Sequence, residues 1–359
     1  MKAAEFVHLH THSQYSLLDG ACKLDDVIAI AKERKMPALA ITDHGNMFGA
    51  VEFYQKAQAA GIKPIIGIEA YVSAGPMTVK KPHEKYPSGG FHLVLLAKNQ
   101  AGYQNLIKIA SAGYLEGFYR RPRVDKDYLR AHSEGLIATS ACPQGEVNWN
   151  LLRGFYDDAL KAANEYSEIF GPGNFFLEMQ DHGLDIESKL IPEIEKLHSE
   201  TKLPLVCSND CHYLRQEDAN AHDALLCIQT GKLVSDDKRM KYNTDQIYFK
   251  SPQEMKELFG DYPEATENTL RIAEACNVQF EFGKLHLPHF PIPTEYVDAD
   301  AYLRELTYKG AKERYGECEG DVKERLDYEL SVIKRLGYAG YFLITKDFID
   351  YSRSIGVRV

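Results

Sequence analysis

No run of about 18 consecutive apolar residues occurs anywhere in the 359-residue chain, which excludes a membrane-spanning helix. The opening Met1-Lys2-Ala3-Ala4-Glu5 lacks the apolar core of a secretory leader, so the expected location is the cytoplasm. Cysteine is sparse: seven residues, an odd number without a tight spacing framework, read as reduced thiols rather than a disulfide scaffold. Positive charge is also short. A net charge of −10 excludes a surface that grips nucleic acid everywhere, and leaves a polyanion to be held by local basic clusters or by bound metal. Low-complexity tracts and short-period repeats are missing too. With 44% hydrophobic and 26% charged residues, the chain has room for one large α/β domain and a smaller second unit.

What the chain does have is histidine in register. His8, His10 and His12 recur at every second residue near the start, followed by Asp19-Gly20. On a β-strand, alternate side chains share a face, so the three imidazoles would line one side. An i, i+2 pair of imidazoles at a strand end can grip a metal ion.

From residue 6 to about residue 213 one pattern repeats: a short apolar run, a ligand-type residue at its end, then usually an amphipathic segment. Strands are expected at 6–12, 38–42, 64–72, 91–96, 135–140, 175–179 and 204–212, with helices at 24–34, 51–60, 103–114, 157–169 and 186–200. Near-continuous apolar strands alternating with helices point to a buried parallel sheet. Seven units in that length suit a closed or distorted barrel better than an open sheet. Residues 251–276 read as two helices and the proline-rich 285–293 as a linker. Helices follow at 298–315 and 322–336, and the β-like apolar ending at 352–359 looks cut.

In such folds function collects at the carboxyl ends of the strands. Those positions offer His10, His12 and Asp19, then His44, Glu69, His92, Cys142, Asp210 and His212. All nine are competent metal donors: five imidazoles, three carboxylates and a thiol. That is too many for one tetrahedral ion, so two or three clustered divalent ions are expected, with a carboxylate bridging. Clustered ions activate water while neutralising a phosphate, the chemistry of phosphoester hydrolysis. His92 also fits a core histidine, Cys142 a small buried hydrophobe and Asp19 a turn residue. Glu69 is harder to place without a partner, because a lone carboxylate after Ile65-Ile66-Gly67-Ile68 is costly to bury. His8 is expected to be structural, and His182 is open. His83, His132, His198, His222, His286 and His289 are expected to be solvated. Tyr119, Arg120, Arg121 and Arg123 form a compact aromatic-basic cluster, a candidate DNA contact or simply a solvated turn.

Several stretches together carry a family resemblance. They are residues 8–20 (His-Leu-His-Thr-His-Ser-Gln-Tyr-Ser-Leu-Leu-Asp-Gly), 41–46 (Ile-Thr-Asp-His-Gly-Asn), 67–71 (Gly-Ile-Glu-Ala-Tyr), 102–106 (Gly-Tyr-Gln-Asn-Leu), 117–119 (Gly-Phe-Tyr), 208–213 (Ser-Asn-Asp-Cys-His-Tyr) and 337–344. They resemble the polymerase and histidinol phosphatase (PHP) domain and, more closely, the start of the bacterial DNA polymerase III alpha subunits, the family C replicative polymerases.

The resemblance implies a distorted seven-stranded, TIM-barrel-like PHP barrel over residues 1–284. A mainly helical, truncated opening of the polymerase palm would occupy 285–359. It implies one ion on His10, His12, Glu69 and Asp210, a second on Glu69, His92 and Cys142, and a third on Asp19, His44 and His212. Asp19, Glu69 and Asp210 would act in catalysis, with zinc or manganese in the barrel and magnesium serving polymerisation by the parent. The implied activity is a 3′–5′ proofreading exonuclease within a DNA-directed DNA polymerase. The implied partners are primer-template DNA, a sliding clamp, a clamp loader and a separate proofreading subunit. The palm's Gly-rich segment and catalytic aspartates are not in this sequence, so the chain is expected not to polymerise. A small-molecule phosphoesterase of the histidinol phosphatase type and a non-catalytic metal-stabilised scaffold are the alternatives.

Overall fold

The computed structural model describes residues 4–284 and 286–359. Met1, Lys2, Ala3 and Leu285 lie outside the described residues, and with them part of the expected leaderless start and the first residue of the expected linker. The chain divides into two compact units, Met1–Gln279 and Phe280–Val359. No helix among the described residues is long and apolar enough to cross a membrane.

The first unit is built on seven strands: β1 (Ala38–Ile41), β2 (Lys63–Val72), β3 (Phe91–Ala97), β4 (Arg123–Val124), β5 (Leu136–Thr139), β6 (Phe175–Met179) and β7 (Leu205–Cys207). Their order is β1-β2-β3-β5-β6-β7, with the two-residue β4 paired to β2. The extended N-terminal segment closes the ring. Ala40 N donates to His8 O at 3.0 Å and Thr42 N to Thr11 O at 2.9 Å on one side. On the other, His12 N donates to Cys211 O at 2.8 Å and Cys211 N to His10 O at 3.2 Å.

Two expectations are corrected here. Residues 6–12 do not form a regular strand. Four residues, His8 to Thr11, lie opposite only three, Ala40 to Thr42, and the extra residue interrupts the ladder as a β-bulge does. The sheet is also mixed rather than parallel, since β3 runs antiparallel to both β2 and β5. Parallel neighbours need a long crossover, usually helical, whereas β2 returns to β3 through residues 73–90 without a regular helix. The reversal explains why His92, at the start of its strand, shares an end of the barrel with ligand-type residues that finish theirs.

The five helices expected between strands are present as Leu24–Glu33, Ala50–Ala60, Gln100–Leu115, Tyr156–Phe170 and Asp185–Thr201. Short helices at Lys126–Ala131 and Glu146–Leu151, and the longer Ala219–Thr230, carried too little periodicity to be expected. Inside the ring Val7, Leu9, Ala40, Ile65, Val94, Leu96, Ile137 and Val206 pack with Ile272, Ala273 and Cys276. Helix Pro263–Ala275 plugs the amino end of the barrel. Thr269 Oγ1 accepts from Val7 N at 3.2 Å, and Asn268 Nδ2 donates to Leu205 O at 2.7 Å. Closing that end leaves the carboxyl end as the open face.

In the second unit Ala299–Tyr315, Gly320–Leu336 and Ala339–Ser354 are helical around Leu303, Ala339 and Leu343. Asp298 caps the first of these by accepting from Ala301 N at 2.7 Å. Phe290 and Ile292, read as linker, pack on this core. The expected β-like ending is corrected as well: residues 352–354 complete the last helix, whose Ala339 and Leu343 are anchored in the core.

Candidate metal centre

The strand ends and their loops bring all nine expected donors into one cluster. Glu69, near the end of β2, is buried at the middle of it. Its Oε1 lies 2.8 Å from His92 Nδ1, 3.4 Å from His10 Nε2 and 3.9 Å from Cys142 Sγ. Its Oε2 lies 2.5 Å from His44 Nδ1 and 3.7 Å from His12 Nε2. Asp210 Oδ1 is 3.0 Å from His12 Nε2, 3.3 Å from His10 Nε2 and 3.6 Å from His212 Nδ1. Asp19 faces His44 Nε2 at 3.1 Å and His212 Nε2 at 3.9 Å. Three triads within this cluster could each hold a cation: His10, His12 and Glu69; His44, Glu69 and His92; His12, His44 and His212. Among the described residues, the triads of this kind all belong to the first unit.

Local backbone sets these positions. Leu18, Ala141 and Asp210 hold positive φ of 60°, 56° and 40°, conformations that non-glycine residues rarely adopt. Each is a candidate donor or directly precedes one, which is where strain of this kind collects. Gly20 follows Asp19 where the chain passes so close to the N-terminal segment that a Cβ would lie 2.1 Å from Ser13 O.

The cluster is unsatisfied as it stands. His10 Nε2, His12 Nε2, Asp19 Oδ1, His44 Nδ1, Glu69 Oε2, Asp210 Oδ1 and His212 Nε2 are buried and form no hydrogen bond among the described residues, facing only one another across the imidazole–carboxylate contacts given above. Leaving so many buried polar atoms unpaired is costly unless a ligand satisfies them. Three of the rings are also fixed in one tautomer. His10 Nδ1 meets Glu178 Oε1 at 2.7 Å, His12 Nδ1 meets Ser16 Oγ at 2.9 Å, and His212 Nδ1 meets the Asp210 carbonyl at 2.7 Å. The Ser16 hydroxyl donates to Asp43, and Glu178 already accepts from Thr139, Ser208 and Gln180. Each Nδ1 must therefore carry a proton, which leaves Nε2 as the atom each ring turns to the cluster, the nitrogen through which a metal would be bound. The residues present fit divalent cations.

The electrostatics agree. Burial opposes charge on Glu69, yet His92 and His44 outweigh it and hold its carboxyl well below the ordinary range. Burial likewise opposes charge on Asp19 and Asp210, and the surrounding imidazoles push both down. Burial would lower His10 and His44, but carboxylate neighbours raise both well above the usual imidazole value, so a cation bound there has to displace a proton from each ring. His12, where burial dominates with His44 and His212 adding to it, falls to about 3. The centre is thus a set of ionised carboxylates seeking positive charge.

Other expectations fare differently. His8 turns away to Lys250 O at 2.8 Å and stacks near Phe249, a structural place as expected. His182 is buried, with Nδ1 on Glu187 at 2.6 Å and Nε2 on Asn209 O at 3.1 Å. His222, expected to be solvated, is buried instead and bonds Asp19 O at 2.8 Å from helix Ala219–Thr230. Glu178 was missed, although a lone carboxylate within Phe175-Phe176-Leu177-Glu178-Met179 carries the same signal that singled out Glu69.

The basic cluster divides. Arg123 is buried at 5% exposure and donates to the carbonyls of Gly117, Ser88 and Val79, so it holds loops and is no DNA contact. Tyr119 is partly buried, with the guanidinium groups of Arg120 and Arg123 5.7 and 5.1 Å from its ring centre. Arg120 and Arg121 are exposed. Beside the centre a cleft of about 590 Å³ opens between Cys142, Asp210, His182, Lys241 and Tyr242.

Comparison with known proteins places this geometry. A family profile described as the PHP domain matches residues 8–182, and one described as the bacterial DNA polymerase III alpha NTPase domain matches residues 301–359. A DNA polymerase III subunit alpha from Borreliella burgdorferi is 46% identical over 357 residues, covering 99% of this chain and 31% of the relative. The chain belongs to the bacterial DNA polymerase III alpha family. The subunit of the same name from Treponema pallidum is 45% identical over 362 residues, covering all of this chain and 31% of its own length. The chain therefore spans about a third of the curated DNA polymerase III alpha subunits it matches. Among solved structures, a two-domain protein from Bacteroides vulgatus described as containing a PHP-like metal-dependent phosphoesterase aligns at a TM-score of 0.38. That alignment has 14% identity and covers 75% of this chain and 65% of that one. Within the DNA polymerase III alpha family, the closed ring of the first unit is a distorted PHP barrel.

Proposed function

We propose that the barrel is a metal-dependent phosphoesterase that removes nucleotides from the 3′ end of DNA, the proofreading exonuclease of a replicative polymerase. The observation that carries this reading is the convergence, at the open end of the barrel, of seven buried ligand-type atoms that face one another without forming hydrogen bonds.

His10, His12, Glu69 and Asp210 would hold one divalent ion, Glu69, His92 and Cys142 a second, and Asp19, His44 and His212 a third, with Glu69 shared. Ions held there supply water activation and charge neutralisation at a phosphodiester. The chain's own residues do the rest. Glu69 presents both carboxylate oxygens to opposite sides of the cluster and sets its spacing. Glu178, Ser16 and the Asp210 carbonyl hold the imidazoles of His10, His12 and His212 in the ligating tautomer. Asp19 and Asp210, both anionic, are placed to orient the attacking water. The mixed donor set suits zinc or manganese.

Residues 285–359 are read as the opening of the palm of a magnesium-dependent DNA polymerase. That polymerase would act in the cytoplasm on primer-template DNA with a sliding clamp, a clamp loader and a separate proofreading subunit. Three acidic residues of this region form surface pairs, Asp327 with Arg304 and Lys323, Glu329 with Arg325, and Asp350 with Lys346, rather than a carboxylate cluster. The chain is accordingly expected to shorten DNA and to incorporate no nucleotide.

The test is a side-by-side assay of the metal-loaded chain on 3′-labelled single-stranded DNA and on histidinol phosphate. Release of 3′-terminal nucleotides, with the monoester untouched, supports the reading. Preference for histidinol phosphate overturns it in favour of a small-molecule enzyme.

A further inference from the structure

Three exposed aromatic rings lie in a row on the surface of the first unit. Phe48 is 60% exposed, Tyr114 43% and Phe118 51%. The ring centres of Phe48 and Tyr114 are 6.4 Å apart and those of Tyr114 and Phe118 6.2 Å, the latter pair stacked. Contiguous exposed aromatic surface of this kind marks an interaction site rather than chance.

The backbone near Phe48 and Tyr114 packs against one proline, Pro122. Phe48 follows the turn at residues 44–46, where a Cβ on Gly45 would lie 2.6 Å from Pro122 Cγ. Tyr114 sits in the last turn of helix Gln100–Leu115, where a Cβ on Gly113 would lie 3.0 Å from Pro122 O. Close backbone packing thus holds the stretches that carry Phe48 and Tyr114 beside each other.

Arg121 links the row to the candidate metal centre: burial raises the Tyr114 phenol, and the charge of Arg121 reaches it and acts against that rise. The Arg121 guanidinium lies 5.7 Å from the ring centre of Tyr71. Tyr71 in turn sits 6.1 Å from the ring of His44 and 5.1 Å from that of His92. Arg121 is exposed, and the residue before it, Arg120, is held at φ 63°.

We propose that Phe48, Tyr114 and Phe118 are a stacking platform for the single-stranded 3′ end of DNA, with Arg121 meeting a phosphate on the way to the metal centre. The proposal rests on the exonuclease reading and adds the strand's path to it. Every base has a π-face, so stacking accepts any sequence, as an enzyme removing arbitrary mispaired ends must. Arg121 between the rings and the cluster supplies the local positive charge that a chain of net charge −10 needs for a polyanion.

The experiment measures affinity of the full chain for a fluorescent oligothymidylate carrying a phosphorothioate at its 3′ end. The variants are Phe48→Ala, Tyr114→Ala, Phe118→Ala, Arg121→Ala, Tyr114→Leu and Tyr114→Phe. Each ring-to-Ala variant is expected to weaken binding by about 5-fold or more, the lower bound for loss of one base stack. Arg121→Ala should weaken binding and flatten its salt dependence, Tyr114→Phe should retain binding, and Tyr114→Leu should fail like Ala. Circular dichroism melting of each variant separates lost stacking from lost fold. Unchanged affinity in the folded ring variants, or full binding by Tyr114→Leu, overturns the platform and leaves a protein-docking face. Hydrolysis of bis(p-nitrophenyl) phosphate by the unaltered chain is scored separately. Its absence would count against the exonuclease reading, while the affinities would still decide the platform.

Discussion

Glu178 Oε1 lies 2.7 Å from Nδ1 of His10, on the side of the ring away from the metal cluster. The same carboxylate accepts from Thr139, Ser208 and Gln180, so it is anchored on every side. Its removal should free the His10 ring and its tautomer without touching a ligand atom. Glu178→Gln is expected to lower metal affinity about 10- to 100-fold, as loss of an orienting partner does. Competition with a fluorescent chelator measures this, and unchanged affinity would reduce Glu178 to a core hydrogen-bond acceptor.

Asp19 separates a ligand from a turn residue. A turn at Asp19-Gly20 would tolerate asparagine, whereas a group facing His44 at 3.1 Å and His212 at 3.9 Å must be anionic to serve a cation. Asp19→Asn should lose DNA hydrolysis while its melting temperature stays within a few degrees of the parent. Hydrolysis at the parent rate would return the residue to the turn.

Arg123 should matter for stability and not for DNA. Its buried guanidinium serves the carbonyls of Gly117, Ser88 and Val79. Arg123→Ala strands those acceptors and is expected to cost on the order of 2–4 kcal/mol. Urea unfolding gives the value, and a variant as stable as the parent would show that water replaces the guanidinium freely.

The barrel's apolar strands were legible because they are continuous: β2, β3 and β6 stand out in composition alone. The donors were legible because ligand-type residues end such runs. What escaped depends on pairing rather than on local pattern. The bulge between His8 and Thr11 exists only against Ala40 and Thr42. The direction of β3 is not written in its periodicity, although the absence of a helix between Val72 and Phe91 was a cue. His222 reads as a surface histidine until helix Ala219–Thr230 is set against Asp19. Arg123, in an obvious basic cluster, is buried by loops that come from residues 79 and 88.

Metal should also hold the barrel together. A ligand present at about a thousand times its dissociation constant stabilises the folded state by about 4 kcal/mol. Chelation is therefore expected to lower the melting temperature of the first unit by several degrees, and readdition of zinc or manganese to restore it. A melting curve indifferent to both would mean that the imidazole–carboxylate contacts suffice alone.

Nine side chains from distant parts of the chain are expected to form one multinuclear metal centre. Elemental analysis of the purified chain beside its Glu69→Gln variant tests it most directly, because Glu69 touches His10, His12, His44, His92 and Cys142. The expected result is two or three divalent ions per parent chain, with at least one lost from the variant. A parent chain that retains no metal, or a variant that retains as much as the parent, would contradict it.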